Sequence, residues 1–410
     1  MRISPRILVL IVFWLAAGCG RENVTAAPPP PSGPGVEPVT RRVLVLYVTA
    51  RGAATLELDR SRIENQVFRQ VQEFYGEASY GRLRFEPEFF GWYAVWVPAG
   101  RCQPWGVMEA AVEAADADVD FGRGYSHLVV ITAGWGCASS GTTSVPPDVR
   151  YSTAEGGVSL ASSAVEAGHV TPLVVAHELG HQLHLVHEAG FLACGWQALR
   201  YPVSQCFLQR YGDFYTVMGG GAYNYLPPHH FNAPEKEALG FFAAGDVQEV
   251  RTSGRYTIAP LESPGHAPKA LKLRAANGAW IYAEYRQPLG WDRGMDSLAL
   301  PDGVVATDVY EGALLHLRAG TASYLLDAGA AAAPGDWNGC VLRPGETFVE
   351  PVTGDSITVV NRTPSSLTVD AVIHSSAELV PERVQKNGRR NPAGRFRDTA
   401  LQLSSGCRAP

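Results

Sequence analysis

No two cysteines of this chain are spaced C-x-x-C, which argues against a metal site built from cysteine pairs. No basic helix or patch stands out before the last few dozen residues, and the net charge is −6, so nothing points to a nucleic-acid partner. Methionine is scarce, with four in 410 residues, which makes the setting of each informative. Acidic residues in calcium-loop spacing are missing too: Asp292, Asp296, Asp302 and Asp308 do not fall at loop intervals and read as turn residues. What remains is an ordinary globular composition, 46% hydrophobic and 18% charged, on a chain long enough for two domains.

The N-terminus reads as a targeting segment. Arg2 and Arg6 precede an apolar run over 7–17 that is too short to favour a spanning helix. It ends in Leu15-Ala16-Ala17-Gly18-Cys19, which resembles a bacterial lipobox and implies cleavage before Cys19 and lipidation of that cysteine. Export follows, with anchoring to the cell envelope through the lipid (the outer membrane in a cell that has one), or secretion if the cysteine is incidental. Residues 20–40 are proline-rich and read as an extended tether. Setting Cys19 aside leaves Cys102, Cys137, Cys194, Cys206, Cys340 and Cys407, an even number that suggests disulfides in an exported protein. Connectivity stays open; sequence order favours Cys102–Cys137, Cys194–Cys206 and Cys340–Cys407.

The chemistry concentrates at residues 177–187, His-Glu-Leu-Gly-His-Gln-Leu-His-Leu-Val-His. On a helix the first and fifth residues share a face one turn apart, so His177 and His181 can present ring nitrogens to one metal ion. Glu178 stands beside the first ligand as a candidate general base. Thr171 and Pro172 supply an N-cap and an N1 proline for that helix. His187, six residues after His181, is the candidate third ligand. Three imidazoles and a water complete the open tetrahedral shell of a hydrolytic zinc ion. His184 as a third ligand on a continuing helix would lie about 10 Å along the axis from His177, too far for bonds of about 2 Å.

Along the chain, 43–48 is an aliphatic run expected as a buried strand, and 58–80 has helical spacing through Ile63, Val67, Val71 and Phe74. A strand or hairpin over 83–97, a helix near 107–117 and a strand over 127–131 follow. His127, at that strand's start, reads as structural. A glycine- and serine-rich stretch to about 168 is expected to give an edge strand on a cleft rim. Beyond 187 comes Asp213-Phe214-Tyr215-Thr216-Val217-Met218-Gly219, then a turn and helix from His229-His230-Phe231-Asn232-Ala233-Pro234. From about 250 the chain turns to short β runs at 256–258, 280–286, 303–306 and 356–360, as in an antiparallel sandwich. Residues from about 376 are polar and basic.

H-E-x-x-H-x-x-x-x-x-H, the Val-Met-Gly turn and Phe-Asn-Ala-Pro-x-Lys-x-x-Leu-Gly together resemble the gametolysin-like metallopeptidases of the metzincin group, over about 43–245. The resemblance implies a zinc endopeptidase with His177, His181 and His187 as ligands, Glu178 as base and Met218 packed beneath the metal as a Met-turn. It departs at His184, where the pattern has a glycine at the end of the helix; a left-handed turn there is open to histidine as one of the commoner exceptions. Glu284-Tyr285-Arg286-Gln287-Pro288-Leu289-Gly290 resembles the β-domain that follows the catalytic unit in related secreted enzymes.

The expected organisation is a signal peptide over 1–19, a linker over 20–40 and an α/β (α+β) metzincin-type domain over 41–248, with a central twisted sheet and a zinc helix. An all-β sandwich-like domain over 249–375 and a tail over 376–410 complete it. The expected partner is a protein or peptide substrate, with a polymer or protein ligand open for the β-domain. Two other activities share these residues: a surface-binding adhesin with a structural zinc, and an amidase cutting cell-wall peptides.

Overall fold

A computed structural model of the chain describes residues 37–51, 58–96, 104–134, 140–185, 189–195, 197–219, 227–298, 307–329 and 339–374. The aliphatic run at 43–48 lies inside β1 (Val39–Ala50). Val43, Val45 and Tyr47 enter one apolar cluster, while Leu44, Leu46 and Val48 enter another. A strand dry on both faces belongs to the interior of a sheet covered on both sides. The neighbours agree: β1 lies between β2 (Leu83–Val95) and β3 (His127–Ala133), and the sheet continues through β5 (Gly156–Glu166) to β4 (Gly141–Thr153). Strands β1, β2, β3 and β5 are parallel, and β4 returns antiparallel along the edge.

Helices cover the two faces. On one, α1 (Arg60–Arg62) runs through a π-helical turn at Ile63–Val67 into α2 (Phe68–Ala78), which buries Phe68, Val71, Phe74 and Tyr75. The same cluster takes Leu173, Val175, Ala176 and Leu179 of α4 (Pro172–Gln182). On the other face, α3 (Pro104–Ala115) packs Val107, Met108, Ala111 and Val112 against Leu44, Leu128 and Val130.

The rest of the described chain is mostly strand. An eight-stranded sheet has the order β7 (Phe207–Gln209), β6 (Gly190–Ala193), β13 (Ala322–Leu326), β12 (Ala313–Ala319), β11 (Trp280–Tyr285), β10 (Ala270–Arg274), β8 (Val247–Glu249), with β14 (Val341–Leu342) also on β12. A four-stranded sheet has the order β15 (Thr347–Val349), β16 (Ser356–Thr363), β17 (Ser366–Val372), β9 (Gly254–Ile258). The two sheets share one apolar core, in which Leu271, Ile281 and Leu315 join Ile357, Val359, Leu367 and Val369. Strands β6 and β7 precede residue 248, so the larger sheet is assembled from chain on both sides of that point. The architecture is mixed α/β with several sheets.

One buried polar cluster ties these parts together. Arg286, without solvent exposure, donates through Nε to Glu284 at 2.7 Å and through Nη1 to Asp292, with Glu262 at 4.0 Å. Its guanidinium also reaches the carbonyls of His230 and Phe231 at 3.4 Å. Asp292, placed among the turn residues by sequence, is thus a buried partner of a cation. Arg286 holds its carboxyl well below the usual range against the opposing effect of burial. Glu77 of α2 accepts from Nε2 of His230 and from the Trp291 N–H, both at 2.9 Å.

Removing one partner of a buried ion pair strands the others. Arg286→Ala is therefore expected to lower stability in urea unfolding by about 3–5 kcal/mol, whereas Arg251→Ala, which breaks an exposed pair with Glu249, leaves the midpoint in place. Equal midpoints for the two variants would contradict the role given to this cluster.

Candidate metal centre

Thr171 caps α4 by accepting the Val174 N–H at 3.3 Å, and Pro172 occupies its first turn. One turn apart on this helix, His177 and His181 bring their Nε2 atoms to 3.0 Å from each other, with the rings nearly perpendicular. The remaining nitrogen of each ring is tied to main chain: Nδ1 of His177 lies 2.9 Å from the Val217 carbonyl, and Nδ1 of His181 meets the Leu185 carbonyl. A carbonyl only accepts, so both Nδ1 atoms carry hydrogen, and in the neutral rings both Nε2 atoms present lone pairs. Two lone pairs this close repel unless a cation lies between them. Bonds of about 2.05 Å at a tetrahedral angle would set two nitrogens about 3.3 Å apart, so the pair fits a zinc-sized ion. His187, the expected third ligand, lies outside the described residues, among which no group of three or more His, Cys, Asp or Glu side chains gathers to hold a metal.

The helix ends as a Schellman motif. The Leu185 N–H reaches back to the Gly180 carbonyl at 3.2 Å and the His184 N–H to that of His181 at 2.9 Å. His184 takes the left-handed conformation, with φ of 70°, at the position where glycine is usual. The helix therefore does not continue through His184. The turn also brings the Leu185 carbonyl back onto His181, and the His184 imidazole sits 3.7 Å from Asp148.

Glu178 is buried, and its Oε2 accepts the Thr143 hydroxyl at 2.5 Å. Behind Thr143 the chain of bonds continues to Ser163 at 2.7 Å, which accepts from the Gln182 amide at 2.6 Å. Burial pushes the Glu178 carboxyl up to about 7, against the lowering effect of the Thr143 bond. Such a value suits a proton acceptor working near neutrality. Edge strand β4 supplies both the hydroxyl and the space: a Cβ at Gly141 would overlap the Glu178 carboxylate.

Beneath the helix, Met218 is fully buried, and a Cβ at Gly180 would come within 2.5 Å of its sulfur and 3.4 Å of Phe231. The absence of a side chain at Gly180 is what lets Met218 seat there. The turn that carries it is held by the Met218 N–H to Thr216 Oγ1 at 3.3 Å, and Thr216 in turn donates to Glu235 at 2.6 Å. Glu235 also closes a capping box with Asn232 at the start of α5 (Ala233–Ala238).

Of the tyrosines flanking Met218 in sequence, Tyr215 is buried with Phe191 and Met295, and Tyr223 lies outside the described residues. Tyr211, which the sequence did not single out, has its ring 5.9 Å from that of His177, is 39% exposed and is left-handed with φ of 57°. A bulky residue held in that conformation is the one signal that marks it. Thr143 was equally unmarked. His229 and His230 are buried, with Nδ1 of His229 on the Trp291 carbonyl and His230 between Glu77 and Lys236. His127 is buried at the start of β3 beside Ser126 and Phe85. Cys194 and Cys206 form a disulfide, Cys340 is buried, and Cys19, Cys102, Cys137 and Cys407 lie outside the described residues.

No protein-family model matches the chain, and no curated protein matches it. Among solved structures, one described as "Structure of a chaperone-substrate complex" aligns over 47% of this chain and 30% of its own length, at 16% identity and a TM-score of 0.26. That likeness carries no argument.

Because a Cβ at Gly141 overlaps the Glu178 carboxylate, Gly141→Ala is expected to displace that carboxyl. Any hydrolysis that uses Glu178 as its base is then expected to fall about 10–100-fold in kcat/KM. Unaltered kinetics would refute the contact.

Proposed function

We propose that the protein is a zinc-dependent endopeptidase of metzincin type acting on exported or cell-envelope proteins. The observation that carries this reading is the pair of imidazole Nε2 atoms converging at 3.0 Å, each ring oriented by a main-chain acceptor. The Met218 turn beneath α4 and the parallel sheet with its antiparallel edge support it further. His177 and His181 would hold the ion together with His187.

Zinc, when bound, supplies Lewis-acid polarisation of the scissile carbonyl and acidifies water. Glu178 accepts the proton of the attacking water. Thr143 occupies Oε2, so the proton is received on Oε1, and Glu178 then delivers it to the leaving amine nitrogen. Gly141 keeps the wall of the site thin at that oxygen. Tyr211, exposed beside His177, is placed to meet a substrate that lies across the helix.

Lipid anchoring at Cys19 is supported by the N-terminal segment, and export also by the Cys194–Cys206 disulfide, a bond that persists in oxidising compartments. A polymer or protein ligand for the strand-rich half belongs to the same proposal.

The purified chain with zinc is expected to cut within peptides of a mixed library, and a chelator is expected to stop it. Glu178→Ala should lower the rate by at least about 100-fold while zinc stays bound. Cleavage that survives in Glu178→Ala would sink the mechanism. Zinc without cutting of any library peptide would favour the adhesin reading, and cutting confined to cell-wall peptides the amidase.

A further inference from the structure

We propose that Asp292, together with Arg286, is a positioning residue for the metal ligand His177, acting through the main chain of His229, His230 and Val217. The inference rests on the metal reading of His177 and adds to it residues that follow β11 in the strand-rich part of the chain.

The bonds run in one line. His177 is oriented by the Val217 carbonyl at 2.9 Å. Val217 is anchored on its N-terminal side by its N–H donating to the His229 carbonyl at 3.0 Å, and the Met218 N–H, in the same peptide plane as the Val217 carbonyl, donates to Thr216 Oγ1 at 3.3 Å. Asp292 holds the next residue, since its Oδ1 accepts the His230 N–H at 2.8 Å, and the adjoining Trp291 carbonyl lies 3.0 Å from Nδ1 of His229. Oδ2 of Asp292 takes the Arg286 guanidinium, which also binds the carbonyls of His230 and Phe231. Phe231 closes the path on the helix itself, packing with Met218 where Gly180 leaves space.

His229, His230, Val217, Arg286 and Asp292 are all at most 3% exposed. Water therefore cannot replace a missing partner, and a shift at Asp292 has to be absorbed by the strap that carries the Val217 carbonyl. Groups that orient a metal-binding imidazole typically change affinity about 10–100-fold when lost. Here the acceptor is a backbone carbonyl, so the side chains that fix the backbone inherit that role. Glu77 of α2 is bonded to Nε2 of His230 and to the Trp291 N–H, and so ties the same residues to that helix.

The test measures zinc affinity by competition with a chromogenic chelator, and the visible spectrum of the cobalt-loaded chain, in the full-length protein. Asp292→Ala is compared with Ile357→Ala, a cavity variant in the core of the four-stranded sheet that makes no part of this path. Asp292→Ala is expected to weaken zinc about 10–100-fold and to shift the cobalt bands. Asp292→Asn keeps an acceptor for the His230 N–H and is expected to recover part of the affinity. Ile357→Ala should lower the unfolding midpoint and leave affinity and spectrum alone. Should Asp292→Ala not fold, Asp292→Asn decides, with an expected loss of about three- to tenfold. Unchanged affinity and spectrum in the Asp292 variants, or an equal loss in Ile357→Ala, overturns the proposal while the metal reading stands. A wild-type chain that binds neither zinc nor cobalt overturns both.

Discussion

Arg286 sits without solvent among Glu284, Asp292 and Glu262, and separate parts of the fold meet on it. A buried guanidinium is tolerable only when acceptors surround it, which fixes those acceptors as firmly as they fix the cation. Glu284 belongs to β11 and also accepts the Ala233 N–H at 2.5 Å, at the head of α5. Asp292 and the guanidinium pin the stretch from His229 to Phe231, and Glu77 brings in α2. The strand-rich half is therefore joined through this cluster to the strap that passes under α4.

The demands on Glu178 and on the histidines pull in opposite directions, and the same local structure answers both. Burial raises the Glu178 carboxyl into the range where it can take and return a proton, while the Thr143 hydroxyl keeps it aimed and limits the rise. To hold a metal through Nε2 the neutral imidazoles need their hydrogen on Nδ1, and the carbonyls of Val217 and Leu185 select that tautomer by accepting it. One of those carbonyls comes from the strap and the other from the Schellman turn at His184. The unusual residue at 184 thus belongs to the device that orients His181.

Local structure was legible in the sequence because it is written in spacing. The aliphatic run at 43–48, the helical period through Phe74, the Thr171-Pro172 start of α4 and the Asn232 cap of α5 each involve neighbours within a turn or two. The pairing of His177 with His181 is legible for the same reason. Contacts across long stretches leave no such trace. Nothing in the sequence connects Asp292 with His230, Thr143 with Glu178, or Tyr211 with His177, since each pair meets only after the sheets assemble. Asp292 read as a turn residue because a turn is what its neighbours spell, and its short helical turn at Gly290–Asp292 is indeed one; its burial comes from Arg286.

The central claim is that converging imidazoles hold a catalytic metal, and X-ray absorption on the purified chain equilibrated with zinc addresses it most directly. The account predicts one zinc per chain with three imidazole nitrogens at about 2.0–2.1 Å and one further light ligand. Absence of bound zinc, or a shell without imidazole scattering, would contradict it.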